Sequence, residues 1–256
     1  MPTAPINGID IYYEDHGSGF PIVLSHGYAA AAPMWQPQVE GLSHRYRVVV
    51  WDMRGHGRTG SPERQDDYSE AHTVEDMRGL FRHLGISEAA VGGLSMGGYM
   101  SLAFRLKHPE MVRALILCDT GPGYRSEEAR AGWNRMAEHF AQAYEERGLD
   151  ALGSSVEVRA TARYHRSALG LAKAARGMLR QFDSRVIESL PDIRVPTLVI
   201  VGERDKPFLA PSDYMAAKIP GARKVVIEGA GHAPNIETAA AFNAAVLEFL
   251  DGLGLS

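Results

Sequence analysis

The sequence predicts an α/β protein with a mostly parallel, doubly wound sheet, and three observations lead to this fold class. Apolar runs of strand length alternate with longer helical patterns along the chain. The runs are almost continuous in valine, isoleucine, leucine and alanine, as expected for parallel strands covered on both faces. The chain has 256 residues, of which 45% are hydrophobic and 23% charged, so it can bury a substantial core.

The strands are predicted from turn signals and apolar runs. Asn7 and Gly8 form a hairpin-turn signal, and the alternating stretch IDIYYED after them predicts a partly exposed strand. Functional groups in a parallel sheet collect at the carboxyl ends of the strands. Six further strands, each expected to be covered on both faces, are predicted at 21–27, 47–55, 89–95, 113–121, 196–205 and 224–232.

Five helices are predicted between these strands. The clearest begins at a capping residue, Thr73, has an acidic first turn, and ends before Gly85. Its apolar residues, such as Val74, Met77 and Leu80, recur at helical spacing. The five predicted helices are 34–43, 73–84, 96–107, 211–219 and 235–250.

One segment breaks the alternation of strands and helices. Residues 124–190 carry long helical patterns rich in alanine, arginine and glutamate, with no convincing strand. We expect a helical cap that covers the strand ends, with Pro191 and Pro196 at its return to the sheet. The predicted organisation is therefore a core in two parts, 1–123 and 191–256, with the cap at 124–190 inserted between them.

Composition excludes several classes of partner. A net charge of -4 without a lysine- or arginine-rich run argues against nucleic acid. No apolar run approaches the roughly 20 residues that a membrane span requires, and the start, MPTAPINGID, lacks the features of a signal peptide. The single cysteine, Cys118, is expected to be buried in a strand and suits a reducing cytoplasm.

The sequence does not decide between a monomer and a homo-oligomer.

The segment GGLSMGGYM at 92–100 predicts a reactive serine. Gly93, Ser95 and Gly97 match the pattern G-x-S-x-G, with a strand before it and a helix after it, which is the arrangement of a nucleophile elbow. Glycines beside the serine leave room for a strained turn that exposes the hydroxyl at a helix N-terminus. A phosphate-binding loop and a dinucleotide fingerprint both need residues that this segment lacks.

A serine hydroxyl needs a base and an orienting acid, and both follow in the expected order. Asp205 ends the strand segment VGERD, and His232 follows the last strand in EGAGHAPNIE. Asp119, which also ends a strand, is an alternative acid. A metal site at His26, His56 and His232 is not expected, because no thiolate or paired-carboxylate set accompanies them.

The oxyanion of an acyl-transfer reaction needs two backbone N–H donors. We expect one from Met96, directly after the serine, and the other from Tyr28 in the segment SHGYAA. Trp35 and Phe208 are candidate substrate contacts because they neighbour the oxyanion and acid loops. Other large apolar residues could line an acyl or alcohol pocket, although such residues more often belong to the core: Trp133, Met136, Phe140 and Ile236.

Five segments in this order and spacing resemble the α/β-hydrolase superfamily over essentially the full chain: SHGY, WDMRGHGRT, GLSMGGYMSL, VGERD and GAGHAPNIE. Within the superfamily, GLSMGG followed by LKHPEMVRALILCDT is most similar to carboxylesterases and 3-oxoadipate enol-lactonases. The resemblance implies Ser95 as nucleophile, His232 as base and Asp205 as acid, without a metal or organic cofactor. It also implies a small-molecule ester or lactone as substrate.

Two sequence differences from other branches of the superfamily narrow the range of expected reactions. A serine at the elbow separates the chain from the dehalogenase and epoxide hydrolase branches, and the HGY segment lacks the H-G-G-G of one lipase branch. Arginines of the insertion, among them Arg125, Arg130 and Arg135, could meet a substrate carboxylate or simply be solvated. Hydrolysis of a carbon–carbon bond, perhydrolysis, and ligand sensing with slow turnover remain alternatives on the same three residues.

Overall fold

The computed structural model describes residues 2–255, which form an eight-stranded, mostly parallel mixed sheet surrounded by helices. The strand order is β1-β2-β4-β3-β5-β6-β7-β8, in which β1 and β2 are antiparallel to their neighbours and all other pairs are parallel. The predicted fold class is confirmed. The strands are β1 (Thr3–Ile6), β2 (Ile9–His16), β3 (Pro21–Ser25), β4 (Arg47–Trp51), β5 (Ala89–Leu94), β6 (Val112–Cys118), β7 (Thr197–Gly202) and β8 (Arg223–Ile227).

Helices lie on both faces of this sheet. The α-helices of the described residues are α1 (Gln36–Leu42), α2 (Glu70–His83), α3 (Met96–Lys107), α4 (Glu127–Arg147), α5 (Val156–Thr161), α6 (Ala168–Ala174), α7 (Arg185–Glu188), α8 (Lys206–Lys218), α9 (Pro234–Glu237) and α10 (Ala239–Gly252). None of the helices within residues 2–255 is long and apolar enough to span a bilayer.

The core has two layers because successive side chains of a strand point to opposite faces of the sheet. In β5, Val91 packs in one layer with α2 and α3, whereas Ala90 packs in the other with α1 and α10. All six residues of β5 and all six of β7 are buried, as predicted for central parallel strands. Cys118 is buried at the end of β6, also as predicted.

The prediction for the last strand is wrong in one respect. β8 lies at the edge of the sheet, where it pairs only with β7, and only Ile227 of this strand is buried. Val226 is 46% exposed. A run of apolar residues predicts a strand but does not reveal whether that strand has neighbours on both sides.

Four of the five predicted helices differ from their predicted bounds, and the first of them, predicted at 34–43, is α1 at Gln36–Leu42. α2 begins one turn earlier than predicted, since Ser69 caps it by accepting a hydrogen bond from the His72 N–H, and Thr73 lies inside it. α8 begins at Lys206 and includes Pro211, which was expected to start the helix. The last predicted helix is interrupted at Thr238, whose φ of -140° is not helical. Helix 96–107 has the predicted bounds.

The segment between β6 and β7 contains helices and no strand among the described residues. Its longest element, α4, has 21 residues and packs against α6. A third apolar cluster, which includes Tyr144 of α4 and Leu171 of α6, also contains Ala29 from the loop after β3. This segment therefore packs on the carboxyl-end loops of the sheet. The exact division of the chain at 123 and 190 stays a prediction.

Candidate active site

Ser95 occupies a strained turn between β5 and α3. Its φ of 54° lies in the left-handed region, which costs a residue with a side chain on the order of 1–3 kcal/mol. The turn is held by hydrogen bonds on both sides: the Ser95 N–H donates to the carbonyl of Cys118 at 2.9 Å, and the Thr120 hydroxyl donates to the carbonyl of Ser95 at 2.6 Å. The serine is thus fixed at the carboxyl edge of the sheet, at the N-terminus of a helix.

Two glycines allow this turn by close backbone packing. A Cβ on Gly93 would lie 2.6 Å from the carbonyl oxygen of Ser25, and one on Gly97 would lie 2.6 Å from that of His26. Both distances are far below van der Waals contact, so neither position accepts a side chain without movement of the main chain. Gly93 and Gly97 are therefore required because other backbone segments pack closely against them, and not because the turn is flexible.

His232 and Asp205 meet at the same edge. Asp205 lies between β7 and α8, His232 lies in the loop after β8, and His232 Nδ1 is 2.6 Å from Asp205 Oδ2. The histidine side chain is 28% exposed and the aspartate side chain 6%. With Nδ1 donating to the carboxylate, Nε2 is the nitrogen that can accept a proton. This tautomer follows from the hydrogen bond.

The carboxylate also sets the basicity of the imidazole. Burial lowers the pKa of His232, but the hydrogen bond and the charge of Asp205 raise it by more, so the pKa lies above its ordinary value of 6.5. Glu157 and Asp119 contribute further to the rise. An imidazole with a raised pKa is a stronger base towards a serine hydroxyl.

Asp119 is adjacent to this pair and is not the partner of the imidazole in the structure. Its Oδ1 accepts from the Gly202 N–H at 2.9 Å, its Oδ2 accepts from the Cys118 thiol at 3.2 Å, and its carboxyl group hydrogen-bonds to that of Asp205. Burial and the bond to Asp205 raise the pKa of Asp119 well above the ordinary range. Two carboxyl groups this close hold one proton between them, so Asp119 is a donor to Asp205.

Two backbone N–H groups near Ser95 are available to an oxyanion. The N–H of Met96 begins α3, and that of Tyr28 follows Gly27 in the loop after β3. Neither donates a hydrogen bond to another group within residues 2–255. The loop keeps its shape through a hydrogen bond from the Ala30 N–H to the Gly27 carbonyl and a left-handed Ala29, with φ of 57°. Among the described residues both N–H groups are therefore free to donate, and their role as oxyanion donors stays a prediction.

Two cavities flank the site, and Pro207 and Phe208 line both. The serine-side cavity, of about 120 Å³, is lined mainly by apolar side chains and includes Ser95, Met96, Tyr99, Trp133, Met178 and Phe208. The histidine-side cavity, of about 410 Å³, includes Tyr28, Phe140, Tyr144, Glu157, Phe208 and His232. The acyl group and the leaving group of an ester, which lie on opposite sides of its carbonyl carbon, could therefore each occupy one cavity.

The predicted substrate contacts fare differently. The ring centroid of Phe208 is 5.1 Å from that of His232 and the residue lines both cavities, while its contact with substrate stays a prediction. Trp35 is instead fully buried beside Phe242 in the core and lines neither cavity. The prediction that Trp35 contacts the substrate is therefore wrong. Trp133 and Phe140, for which a pocket position and a core position were both open, line the serine-side and the histidine-side cavity respectively.

Sequence reasoning missed two polar residues of the insertion. Glu157 and His165 come from short helical turns whose sequence carries no motif, and their positions depend on how the insertion folds back. The arginines singled out in this segment do not approach the site. Arg130 binds the carbonyls of Tyr124 and Arg125, and neither cavity is lined by Arg125, Arg130 or Arg135.

One group of side chains within residues 2–255 has the spacing of a metal site: ligand atoms of Asp119, Asp205 and His232 lie within 4.8 Å of one another. Those atoms already have partners, since Asp205 binds His232 and Asp119 binds Gly202. The chemistry of the group is that of a hydrogen-bonded chain from carboxyl to carboxylate to imidazole, so we assign it no metal. His26 and His56 are buried elsewhere, with ring centroids 5.0 Å apart.

Comparison with known proteins agrees with this geometry. Residues 22–245 match the model of the alpha/beta hydrolase family. The crystal structure of an enol-lactonase from Burkholderia xenovorans is 30% identical, with a TM-score of 0.79, and the match covers 98% of this chain and 100% of that one. A thermophilic esterase from Thermogutta terrifontis is 32% identical, with a TM-score of 0.82 and 98% of both chains covered.

A curated relative from Azorhizobium caulinodans, named provisionally as a carbamate hydrolase, is 31% identical over 97% of this chain and 98% of its own length. The similar proteins thus share the fold and hydrolytic chemistry while differing in the substrate that their names give. The family match, the two structures and this relative all extend over nearly the whole chain, and the chain belongs to the α/β-hydrolase family.

Proposed function

We propose that this protein is a serine hydrolase that cleaves small carboxylic esters or lactones through a covalent acyl-enzyme. The observation that carries the proposal is that a strained serine and a hydrogen-bonded histidine–aspartate pair both follow the carboxyl ends of strands at the same edge of the sheet. The names of the enol-lactonase and esterase structures support the same substrate class. Ser95 is the proposed nucleophile, His232 the base and Asp205 the acid that orients it.

In the first step, the Ser95 hydroxyl oxygen attacks the substrate carbonyl carbon while His232 Nε2 accepts the hydroxyl proton. The N–H groups of Tyr28 and Met96 stabilise the resulting oxyanion. The bond between the carbonyl carbon and the leaving oxygen then breaks, and the imidazolium gives its proton to that oxygen. Water attacks the acyl-enzyme by the same route in reverse, which releases the acid and restores Ser95.

Turnover of p-nitrophenyl acetate and butyrate tests the proposal against a Ser95→Ala control. We expect the wild type to release p-nitrophenol in multiple turnovers and the variant to retain only the uncatalysed rate. A fluorophosphonate should label Ser95 in the wild type and leave the variant unlabelled by mass spectrometry. Equal rates for the two proteins would refute the assignment.

A panel of unstrained esters, lactones and vinylogous diketones separates esterase and lactonase activity from hydrolysis of a carbon–carbon bond. Addition of hydrogen peroxide with a carboxylic acid tests for perhydrolysis. Single-turnover cleavage that leaves a persistent adduct would favour a sensing role over metabolism. The small, apolar serine-side cavity leads us to expect a short acyl group in the preferred substrate.

A further inference from the structure

The histidine-side cavity contains a carboxylate that the proposed reaction does not use. Glu157, the second residue of α5, is 5% exposed and lines this cavity together with His232. Its Oε1 accepts a hydrogen bond from the Ser155 hydroxyl, but its Oε2 is buried without a hydrogen-bond partner in residues 2–255. A buried carboxylate oxygen without a donor is costly, and a positive charge in the cavity that Glu157 lines would offset part of that cost.

Aromatic rings form much of the remaining wall. Tyr28 stacks on Phe140 with ring centroids 5.9 Å apart, and Tyr144 meets Tyr28 edge-on at 6.3 Å. Phe208 lies on the side of His232. Faces of aromatic rings attract cations, and the attraction grows when the cation is shielded from water.

Apart from the imidazole of His232, the ionisable side chains with a charge at neutral pH that line this cavity are carboxyl groups. Its lining includes the carboxyl groups of Glu157 and Asp205, and no lysine or arginine from the described part of the chain. A negatively charged substrate group would meet repulsion here, whereas a positively charged nitrogen would meet a carboxylate and aromatic faces together.

The position of His232, which must protonate the leaving oxygen, indicates which part of the substrate enters the histidine-side cavity. His232 lines the histidine-side cavity, and Ser95 and Met96 line the serine-side cavity. The imidazolium must reach the leaving oxygen to protonate it, so the leaving group lies on the histidine side and the acyl group on the serine side.

We propose that the histidine-side cavity selects substrates whose leaving group carries a positively charged nitrogen, held by Glu157 and the rings of Tyr28 and Phe140. This proposal rests on the proposed serine hydrolase function. It adds to that function the chemical class of the alcohol that leaves from the ester. Glu157 is thus a specificity-determining residue.

Two isosteric esters test the selection: 2-(trimethylammonio)ethyl acetate, which is cationic, and 3,3-dimethylbutyl acetate, which is neutral. We expect the wild type to prefer the cationic ester in kcat/KM by roughly tenfold or more. Glu157→Gln keeps the size of the side chain and should reduce this preference at least several-fold. Phe140→Leu, a change at a half-exposed position, should reduce it as well without touching the carboxylate.

Glu146→Gln is the matched control. Glu146 lies exposed on α4, outside both cavities, so this variant removes the same charge from the same segment and should keep the wild-type preference. A wild type that prefers the neutral ester, or an equal preference in Glu157→Gln and wild type, would overturn the proposal.

Binding in the Ser95→Ala background separates this proposal from the hydrolase assignment. Calorimetric titration with choline and with 3,3-dimethylbutan-1-ol measures recognition without turnover. Selective choline binding that Glu157→Gln abolishes would uphold the site even if no ester is hydrolysed. Ester hydrolysis without selective choline binding, and without a preference between the esters, would overturn the site and leave the hydrolase assignment standing.

Discussion

At the scale of a residue, the basicity of His232 decides the pH at which the site works. The imidazole accepts the serine proton only when it is neutral, so kcat/KM should rise with pH through the pKa of His232. That pKa is lowered by burial but raised by more through Asp205, so its net position is above 6.5.

We therefore expect the midpoint of the pH profile above pH 6.5, measured with p-nitrophenyl butyrate from about pH 5 to about pH 9. Asp205→Asn removes the negative charge and leaves only a neutral amide oxygen as acceptor, so it should lower kcat/KM and move any residual midpoint downward. A wild-type profile that is already flat at the acidic end would contradict His232 as the base.

Asp119 supplies a second prediction at this scale. Because its carboxyl group donates to Asp205, an amide can replace it as donor, whereas an alkyl side chain cannot. Asp119→Asn should keep most of kcat/KM, and Asp119→Ala should lose roughly 10–100-fold, the value of a hydrogen bond to a charged group.

The pH profile distinguishes this positioning role from a general loss of stability. Asp119→Ala should shift the midpoint that reports His232, since Asp119 lies within 4.8 Å of the imidazole and its change alters Asp205. Equal activity in the alanine and asparagine variants would show that the donor is dispensable.

At the scale of elements, one histidine connects the insertion to the oxyanion loop. His165 Nδ1 accepts from the Gly57 N–H at 3.1 Å, and its Nε2 donates to the Ala29 carbonyl at 2.9 Å, so the ring is neutral. Ala29 directly follows Tyr28, one of the two proposed oxyanion donors. The insertion thereby holds the loop that carries this donor.

Burial lowers the pKa of His165 below 6.5, which fixes the sign of its effect on stability. As the pH falls below 6.5, the imidazole of His165 becomes protonated in the unfolded chain but stays neutral in the folded protein. The contribution of His165 to the free energy of unfolding therefore decreases as the pH falls. Glutamine can make the same two hydrogen bonds without titrating.

We therefore expect the stability of the wild type relative to His165→Gln to fall by up to about 1.4 kcal/mol per pH unit below pH 6.5. Urea unfolding at about pH 7 and about pH 5 measures the difference. His26 and His56 are present in both proteins, and the main cause of their lowered pKa values is burial, so the greater part of their contribution is common to both. A difference that is independent of pH would exclude a neutral His165.

At the scale of the whole molecule, a buried ion pair connects distant parts of the chain. Arg54 in the loop after β4 binds Asp76 of α2 through two hydrogen bonds of 2.7 Å, and both side chains are almost fully buried. Asn7, from the turn between β1 and β2, donates to the same carboxylate at 2.9 Å.

Removing one partner of such a pair leaves an uncompensated buried charge. Arg54→Met should therefore destabilise the protein by roughly 3–5 kcal/mol in urea unfolding. The double variant Arg54→Met with Asp76→Leu should recover much of that loss, because no charge remains to be buried. Arg64→Met, which removes an exposed partner of Asp66, is the control and should unfold like the wild type.

Much of this fold could be predicted from local pattern. The central strands were identified because strands covered on both faces need continuous apolar runs, as in β5 and β7. Helix 96–107 was predicted with its bounds because the elbow fixes its start at Met96. The start of α2 was missed because its first turn, from Glu70 to Thr73, has no large apolar residue, and the spacing of such residues was the signal.

The sequence by itself determined seven of the eight strands, the elbow around Ser95 and the order in which Asp205 and His232 follow it; β1 (Thr3–Ile6) was not predicted. These features are local: each depends on the residues that flank it in the chain. Only the tertiary structure decided that Asp119 meets Asp205, that Trp35 is core, and that Glu157 faces the space beside His232. Each of these depends on which strands are neighbours and on how a helical insertion folds back, and such long-range contacts leave no local pattern in the sequence.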